Sequence, residues 1–444
     1  MNKRGAPPVL ATLTVENVVA GGKGIAFASA NGVRRAVLLP LVAPGDVVRA
    51  DVDFSRSPAR GVVLEVIQSS GARVVPPCEI ADRCGGCDLM HIAAAARRRA
   101  LLGMVRDALP PQLQTFAVKE HHLTEDLRYR SRARFHIDAK KPPHVHVGFR
   151  AAGSHELVSP RECRVLVPAL EEARRALAAW LKGASGYGEA TLAGTAQERV
   201  VLDLTFAGEL PATFFAALEQ ALVDARLLGG ARVWTQGAKR PATFGSPTPV
   251  MVGADGAPLE LAPGGFGQAS DEGNVLLGRC VAELLAPLPL HGASVVELFA
   301  GAGNFTSLLA RTGARVTAVE ADAEATSAAR RNLAARGLDA KIVTADAETY
   351  PLRGGAERPR LVFLDPPRTG AKGAAAMIAK ARPDSVLYVS CDPPTLGRDL
   401  GTLLDAGYGV SSIDVFELFP QTSHVETVVL LRHRRTVREP DAGP

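Results

Sequence analysis

The sequence predicts an α/β protein: a Rossmann-like domain in the C-terminal part, a small N-terminal β-barrel, and a mixed α+β region between them. From about Asn274 onward strands and helices alternate, and several strands are nearly continuous apolar runs, as in a sheet covered on both faces. Residues 10–67 are instead short valine-rich segments separated by glycine turns. A chain of 444 residues is also too long for one core. We therefore expect three domains, 1–70, 71–270 and 271–435.

Composition narrows the class of protein. With 47% hydrophobic and 22% charged residues the chain has ample material for cores, and its net charge of +5 permits an anionic partner without requiring one. No segment approaches the ~20 apolar residues of a membrane span, and no long apolar run follows the N-terminus. We expect a cytoplasmic protein without a membrane partner, and a monomer.

The N-terminal segments predict a barrel of the oligonucleotide-binding kind. Gly21-Gly22-Lys23-Gly24 and Ala43-Pro44-Gly45-Asp46 are turn signals, and residues 47–52 and 61–67 are rich in valine. A β-module that only packs on its neighbour remains an alternative, because a fold by itself does not establish a function.

In the middle region, an alanine- and arginine-rich helix is predicted from Ala93 to Leu109, where Pro110-Pro111 stops it. Strands and helices then alternate. The predicted strands are Arg132 to Asp138 and Val200 to Phe206, and the predicted helices are Ala169 to Leu181 and Pro211 to Ala225.

The C-terminal region predicts a doubly wound sheet. Its strands are Ser294 to Phe299, Arg315 to Glu320, Lys341 to Thr344, Leu361 to Leu364, Ser385 to Ser390 and Thr427 to Leu431.

A glycine loop after the first of these strands predicts a cofactor site. Gly301 and Gly303 allow a tight turn and a close approach to a ligand. Glu320 ends the next strand, where a carboxylate can bind ribose hydroxyls, and Asp346 follows the third strand, where it could meet an adenine edge. Strand-end caps are the alternative role for both carboxylates. Thr306 replaces the third glycine of the dinucleotide motif, which favours S-adenosylmethionine over a dinucleotide.

Two further strand ends carry catalytic candidates. Asp365 begins the run Asp365-Pro366-Pro367-Arg368 and Cys391 ends the fifth strand, so both should face one crevice. Uracil C5 is a poor nucleophile, but a thiolate that adds at C6 creates an enolate whose C5 can attack an activated methyl group. A base must then remove the C5 proton, and Glu426 lies just before the last strand. Taken singly, the thiol could be a core residue and Glu426 a surface carboxylate.

Four cysteines, at positions 78, 84, 87 and 163, suggest a metal site. Cys78, Cys84 and Cys87 are closely spaced and Cys163 follows much later; four thiolates suit zinc or an iron–sulfur cluster, and the spacing does not choose between them. Unliganded reduced thiols are a third possibility. Cys280 lies among apolar neighbours in a predicted helix and is expected in the core.

Basic segments suggest RNA contact. Arg128 to Arg134 surrounds Tyr129, whose ring could stack a base, and Arg97 to Arg99 adds charge on a helix. Such charge runs are more often simply a solvated surface. A base that reaches a thiol in a crevice must leave its stack, which favours a single-stranded or loop uridine.

Taken together, these motifs resemble the bacterial RNA 5-methyluridine methyltransferase family, in particular its rRNA members. The resemblance covers most of the chain. It rests on Tyr129 to Phe135, Phe266-Gly267-Gln268, Asp365 to Arg368, Ser390-Cys391-Asp392-Pro393 and Phe419 to Glu426, the last three being the specific ones.

The resemblance implies a TRAM-like N-terminal domain, Cys391 as nucleophile and Glu426 as base. It also favours a [4Fe–4S] cluster at the four cysteines; because the C-x3-C-x2-C signature of radical enzymes is absent, the expected role is structural or RNA-organising. The residues implied at or beside the cofactor are Gln268, Phe299, Asn304, Glu320, Asp346 and Asp365. The chain departs from the family pattern at Ser270 and Asp392, where asparagine is usual.

The expected activity is methyl transfer from S-adenosylmethionine to C5 of a uridine in RNA, with 23S rRNA favoured and tRNA as the alternative. A non-catalytic RNA-binding assembly factor would have no need of both Cys391 and Glu426. A DNA cytosine C5 methyltransferase shares the thiol chemistry, but its Pro-Cys and Glu-Asn-Val motifs are missing.

Overall fold

The computed structural model describes residues 8–30, 32–141, 144–195, 199–224 and 227–436. In these ranges the strands form sheets of six, seven and eight strands and one two-stranded ribbon. The predicted α/β class is confirmed, with β-rich structure at the N-terminus. No helix among the described residues combines the length and the apolar character that a membrane crossing requires.

The N-terminal sheet is antiparallel except for one parallel pair and encloses a small core of its own, which includes Val37, Val48 and Val52. Its strand order is β1-β5-β6-β4-β3-β2. The strands are β1 (Val9–Thr14), β2 (Asn17–Val19), β3 (Lys23–Ala30), β4 (Val33–Leu39), β5 (Val47–Asp53) and β6 (Ala59–Gln68). The first seven residues of the predicted domain lie outside the described residues.

The middle region begins with α1 (Ala94–Ala108), close to its predicted bounds, and β7 (Lys119–His122). A seven-stranded sheet follows, and α2 and α3 pack against it. The elements are β8 (Arg132–Lys141), β9 (His144–Arg150), β10 (Leu157–Val158), α2 (Pro168–Trp180), β11 (Ser185–Ala193), β12 (Val200–Glu209), α3 (Ala212–Val223), β13 (Leu228–Thr235) and β14 (Ala242–Gly245). The end predicted for α3, Ala225, lies outside the described residues. The ribbon β15 (Val250–Val252) and β16 (Pro258–Glu260) leads to the C-terminal region.

The C-terminal region is the predicted doubly wound sheet. Its elements are α4 (Asp271–Leu285), β17 (Ser294–Leu298), α5 (Thr306–Arg311), β18 (Arg315–Glu320), α6 (Ala323–Ala335), β19 (Lys341–Thr344), β20 (Leu361–Leu364), α7 (Lys372–Ala381), β21 (Ser385–Ser390), α8 (Pro393–Asp405), β22 (Tyr408–Glu417) and β23 (Glu426–His433). Short 3₁₀ turns lie at Pro111–Leu113, Gly355–Glu357 and Arg434–Thr436.

The order of this eight-stranded sheet, β19-β18-β17-β20-β21-β23-β22-β7, decides where a ligand can bind. Strands β17 to β21 are mutually parallel, so their carboxyl ends share one edge. The chain winds outward from β17 to β19 and then crosses back to β20. A crevice opens at such a switch point, here between the ends of β17 and β20.

The sheet is buried on both faces, as the apolar strands predict. Alternate residues enter two different cores: Phe363 and Leu387 pack with α4 and the middle region, and Val362 and Val386 pack with α1, α7 and α8. Burial on both faces makes the sheet a firm support for side chains at its edge.

Two strands of the eight-stranded sheet, β7 and β22, were not predicted. In β22, the polar Ser412 and Asp414 interrupt the apolar pattern, and a register shift next to Ser412 marks a bulge. Strand β7 reads Lys-Glu-His-His and has no apolar residue. It is extended because it pairs in parallel with β22, so a tertiary contact overrides its local pattern.

Candidate active site

The turn after β17 is built from residues with left-handed backbone conformations. Gly301 has φ +54° and Gly303 has φ +83°, which glycine adopts without strain. Phe299 has φ 63°, a conformation that is costly for a bulky side chain. Room around Gly303 is also limited, since an added Cβ would lie 3.2 Å from the Cβ of Ala329. The turn is therefore a compact loop that presents its backbone at the switch point.

Glu320 lies at the end of β18 and fixes this loop. Its carboxylate accepts hydrogen bonds from the N–H of Gly301 and the N–H of Asp322, each 2.9 Å long. Asp322 in turn caps α6 by accepting from the N–H of Ala325. Glu320 thus links the end of β18 to the loop after β17. Its side chain remains half-buried.

Asp346 follows β19 at the same edge and is exposed. One carboxylate oxygen accepts from the N–H of Glu348 at 2.9 Å, which orients the side chain. Gln268 is half-buried in the loop that precedes α4. Neither side chain belongs to the buried core.

Asn304 lies in the glycine turn, and its amide is used within the protein. It exchanges hydrogen bonds of 2.8 and 3.0 Å with Asn274 on α4 and accepts from the N–H of Ala254. Its contacts therefore position α4 and the 254 loop against the glycine turn. Ser270, which departs from the family pattern, caps α4 by accepting from the N–H of Gly273.

Cys391, Glu426 and Asp365 come together at the carboxyl edge of the sheet. Strand β23 runs antiparallel to β21, and the last pair of their register is Ser390 with Thr427. One step further along that register places Glu426 opposite Cys391. Asp365 follows the neighbouring strand β20, which pairs in parallel with β21. The predicted nucleophile and the predicted base thus meet although they lie on different strands.

Burial controls the charge of these groups. It raises the pKa of the Cys391 thiol to about 12, and the carboxylates of Glu426 and Asp365 add to the effect. Burial also raises the pKa of Asp365 to about 7 and holds the pKa of Glu426 well above its ordinary value. Glu426 is 5% exposed. Three groups with raised pKa values in one crevice are typical of a catalytic centre.

Arg368 supplies the opposing charge. Its guanidinium lowers the pKa of both Cys391 and Glu426, which are otherwise raised by burial. It also contacts the imidazole of His424, with a distance of 3.1 Å from Nη2 to Nε2. Burial and then Arg368 lower the pKa of His424, so the ring is a neutral acceptor. Asp392, next to Cys391, caps α8 through the N–H of Thr395, a role that aspartate and asparagine share.

The loop that leads to Glu426 is anchored by the cysteine-bearing segment. The carboxylate of Asp88 accepts from the N–H and the hydroxyl of Ser423 at 2.7 and 2.6 Å. The N–H of Leu89 donates to the carbonyl of Gln421 at 3.0 Å. Asp88 is adjacent to Cys87, so the cysteines and the base belong to one connected structure.

Parts of the predicted RNA surface have other roles. The ring of Tyr129, which we expected to stack a base, is 7% exposed, and its hydroxyl donates to the carbonyl of Pro420 at 2.9 Å. Arg97 is fully buried; it contacts Glu417 and donates to Asp126. These two expectations were wrong, because both side chains support the loop before Glu426. Arg134 stays exposed.

The four predicted metal-binding cysteines come together. All are reduced; Cys163 is buried, and the others are half-buried. Their thiols interact electrostatically: Cys163, Cys84 and Cys78 raise the pKa of Cys87 beyond the effect of burial, and burial raises the pKa of Cys163 to about 11. The repulsion acts between ionised thiolates, and a cationic centre that binds them would offset it, so the donor set fits a metal or a cluster.

Sequence patterns did not signal Glu297. It is buried in β17, and the hydroxyl of Thr306 donates to it at 2.5 Å. Burial raises its pKa to about 8, so the protonated acid ties β17 to the start of α5. Asp88 was also not predicted as part of the site, because its hydrogen bonds go to Ser423, which is distant along the chain.

Comparisons with known proteins identify the family of the chain. The family described as tRNA (Uracil-5-)-methyltransferase matches residues 290–434. A Pseudomonas aeruginosa protein described as 23S rRNA (uracil(1939)-C(5))-methyltransferase RlmD is 34% identical over 94% of this chain and 93% of its own length. A relative with the same description, from Halomonas elongata, is 32% identical over 96% of this chain and 90% of its own length.

Among solved structures, the tRNA (uracil-54, C5)-methyltransferase of Pyrococcus abyssi, in complex with S-adenosyl-L-homocysteine, superposes with a TM-score of 0.73. It is 22% identical, and the match covers 95% of this chain and 100% of that one, which shows a common fold. On the sequence similarity to the curated relatives, the chain belongs to the S-adenosylmethionine-dependent RNA uracil-C5 methyltransferase family.

Proposed function

We propose that this protein transfers a methyl group from S-adenosylmethionine to C5 of a uridine in 23S rRNA, at the site that corresponds to uracil 1939 in the names of its relatives. The observation that carries the proposal is the placement of Cys391 opposite Glu426, beside the glycine turn. An RNA-binding factor without activity would not need a buried thiol and a buried carboxylate in one crevice.

The proposed reaction begins with the Cys391 thiolate, whose sulfur adds to C6 of the uracil. The resulting enolate is nucleophilic at C5, which attacks the donor methyl group; the sulfur–methyl bond breaks and S-adenosylhomocysteine leaves. Glu426 then takes the proton from C5, and the electron pair expels the thiolate from C6. The raised pKa of Glu426 suits this step, because it makes the carboxylate a stronger base for a carbon-bound proton.

For the cofactor, we propose that Phe299, Gly301 and Gly303 form its backbone cradle, that Glu320 binds the ribose, and that Asp346 binds near the adenine. We propose that Gln268 and Asp365 also contact the cofactor or lie beside it. Asn304 acts beside the cofactor by positioning α4, because its amide is already occupied.

We also propose a [4Fe–4S] cluster at Cys78, Cys84, Cys87 and Cys163. The mutual electrostatic effect of the four thiols supports it, as does their link through Asp88 to the base loop. A cluster there would hold the segment that anchors Ser423 and so would stabilise the base in place.

For the whole molecule, we propose three domains, 1–70, 71–270 and 271–435, of which the first is a TRAM-like RNA-binding module. The six-stranded sheet with its own core supports this division. We further propose that the protein is a monomer that acts in the cytoplasm, where ribosomal RNA is its partner.

Purified protein should be tested on 23S rRNA fragments and on unmodified tRNA, with labelled S-adenosylmethionine and mapping of 5-methyluridine. We expect label in the rRNA fragment and none in tRNA. The variant Cys391→Ala should lose transfer while S-adenosylhomocysteine still binds in calorimetry. Label in tRNA alone would show that tRNA, and not 23S rRNA, is the substrate. Methyl transfer by Cys391→Ala would refute the covalent route.

A further inference from the structure

We propose that His121, Cys280 and Asp414 form a second metal site, which binds one divalent transition-metal ion of the zinc class. The site shares no residue with the four cysteines or with the crevice. Its three residues come from β7, α4 and β22, and the pairing of β7 with β22 brings two of them to the outer edge of the eight-stranded sheet.

The distances suit one ion. One ligand atom from each residue, an imidazole nitrogen, the sulfur and a carboxylate oxygen, lies within 4.8 Å of the other two. The Nε2 of His121 lies 2.9 Å from Oδ1 of Asp414. Zinc bonds of about 2.0–2.3 Å to nitrogen, oxygen and sulfur place ligand atoms between three and four ångströms apart, so small side-chain shifts would complete the site.

Neighbouring groups hold the ligands in place. The hydroxyl of Ser412 donates to the second oxygen of Asp414 at 2.5 Å, which leaves Oδ1 directed at His121. The imidazole of His121 stacks on the ring of Phe416 with a centroid distance of 4.3 Å and an interplanar angle of 11°. Orientation of ligands by surrounding contacts is a general property of metal sites.

Charge and burial point to a cation. Cys280 is 5% exposed and Asp414 is 2% exposed, whereas the side chain of His121 is 24% exposed. In the metal-bound state the thiolate of Cys280 and the carboxylate of Asp414 would carry two negative charges, which a divalent ion balances. Nitrogen, oxygen and sulfur ligands together suit zinc, and the open side at His121 gives an entry path and a fourth position for water.

The ion would have a structural effect. Strand β7 contributes no apolar side chain to the core, and the site would join it to α4 and β22. Without metal, the same three groups form a hydrogen-bonded relay, in which burial and Asp414 raise the pKa of the Cys280 thiol. A measurement of metal uptake therefore distinguishes the hydrogen-bonded relay from the metal site.

The test uses full-length protein purified without oxygen, dialysed against a mild chelator and titrated with Zn²⁺ alone by calorimetry. We expect uptake of one equivalent and a rise in melting temperature. His121→Gln should lose both effects; this position is partly exposed, so the variant should fold. His122→Gln makes the same chemical change at the exposed neighbouring position of the same strand and serves as the matched control that retains the equivalent.

Ser412→Ala keeps all three ligands and should weaken Zn²⁺ binding about 10- to 100-fold, because it frees Asp414. Equal Zn²⁺ uptake by the wild type and His121→Gln would overturn the proposal. So would a wild type that takes up no Zn²⁺, which would leave the hydrogen-bonded relay as the state of this cluster.

Discussion

Replacement of Glu426 by glutamine separates the two halves of the proposed reaction. Addition of the thiolate to C6 and attack of C5 on the methyl group need no carboxylate. Removal of the C5 proton does, and the release of Cys391 depends on it. We expect Glu426→Gln to remain covalently bound to methylated RNA.

The pKa values set the magnitudes. With a Cys391 pKa of about 12, about one thiol in 10,000 is ionised at pH 8, so formation of the adduct should speed up about tenfold per pH unit between pH 7 and 9. Glu426 is one of the groups that raise this pKa, so the neutral amide should lower it and leave adduct formation at least as fast. Loss of the base should slow turnover by about 10²- to 10⁴-fold.

The assay is a denaturing gel with RNA and S-adenosylmethionine labelled in the methyl group. Glu426→Gln should give a slowly migrating band that carries the label, and the double variant with Cys391→Ala should give none. Glu357→Gln makes the same chemical change on an exposed 3₁₀ turn and should turn over normally. Normal turnover by Glu426→Gln, or a lack of adduct while RNA and cofactor still bind, would show that another group is the base.

Three further variants test other parts of the structure. Protein purified without oxygen should be brown and contain iron, and Cys84→Ser should lose both; a colourless wild type with stoichiometric zinc would contradict the cluster. Asp88→Ala removes two hydrogen bonds to Ser423 and should lower kcat at least tenfold with unchanged S-adenosylhomocysteine binding, whereas an unchanged kcat would separate this anchor from catalysis. Tyr388→Phe deletes a buried 2.8 Å hydrogen bond to Asp399 and should lower the free energy of unfolding by about 1–2 kcal/mol, read from the urea midpoint; an unshifted midpoint would mean that the remaining donors satisfy Asp399.

Local sequence was sufficient for the parts of the site that follow parallel strands. Phe299, Glu320, Asp365 and Cys391 each lie at the end of an apolar run, and the carboxyl ends of parallel strands share one edge. Assigning each of these residues to the end of a parallel strand therefore also predicted that they lie at the same edge of the sheet. Ser270 and Asp392 both depart from the family pattern, and each of them caps the start of a helix.

Only the tertiary structure decided what lies across the crevice and around it. The register of β21 with β23 sets Glu426 opposite Cys391, and no local pattern specifies the register of strands that distant segments supply.

The same limit explains the wrong expectations for Tyr129 and Arg97. Their composition suggested an exposed basic surface, but both are buried against the loop before Glu426. Periodicity and propensity describe a residue and its neighbours along the chain. Burial, hydrogen-bond partners and the meeting of β7 with β22 depend on which distant segments pack together, and this packing is decided by the whole fold.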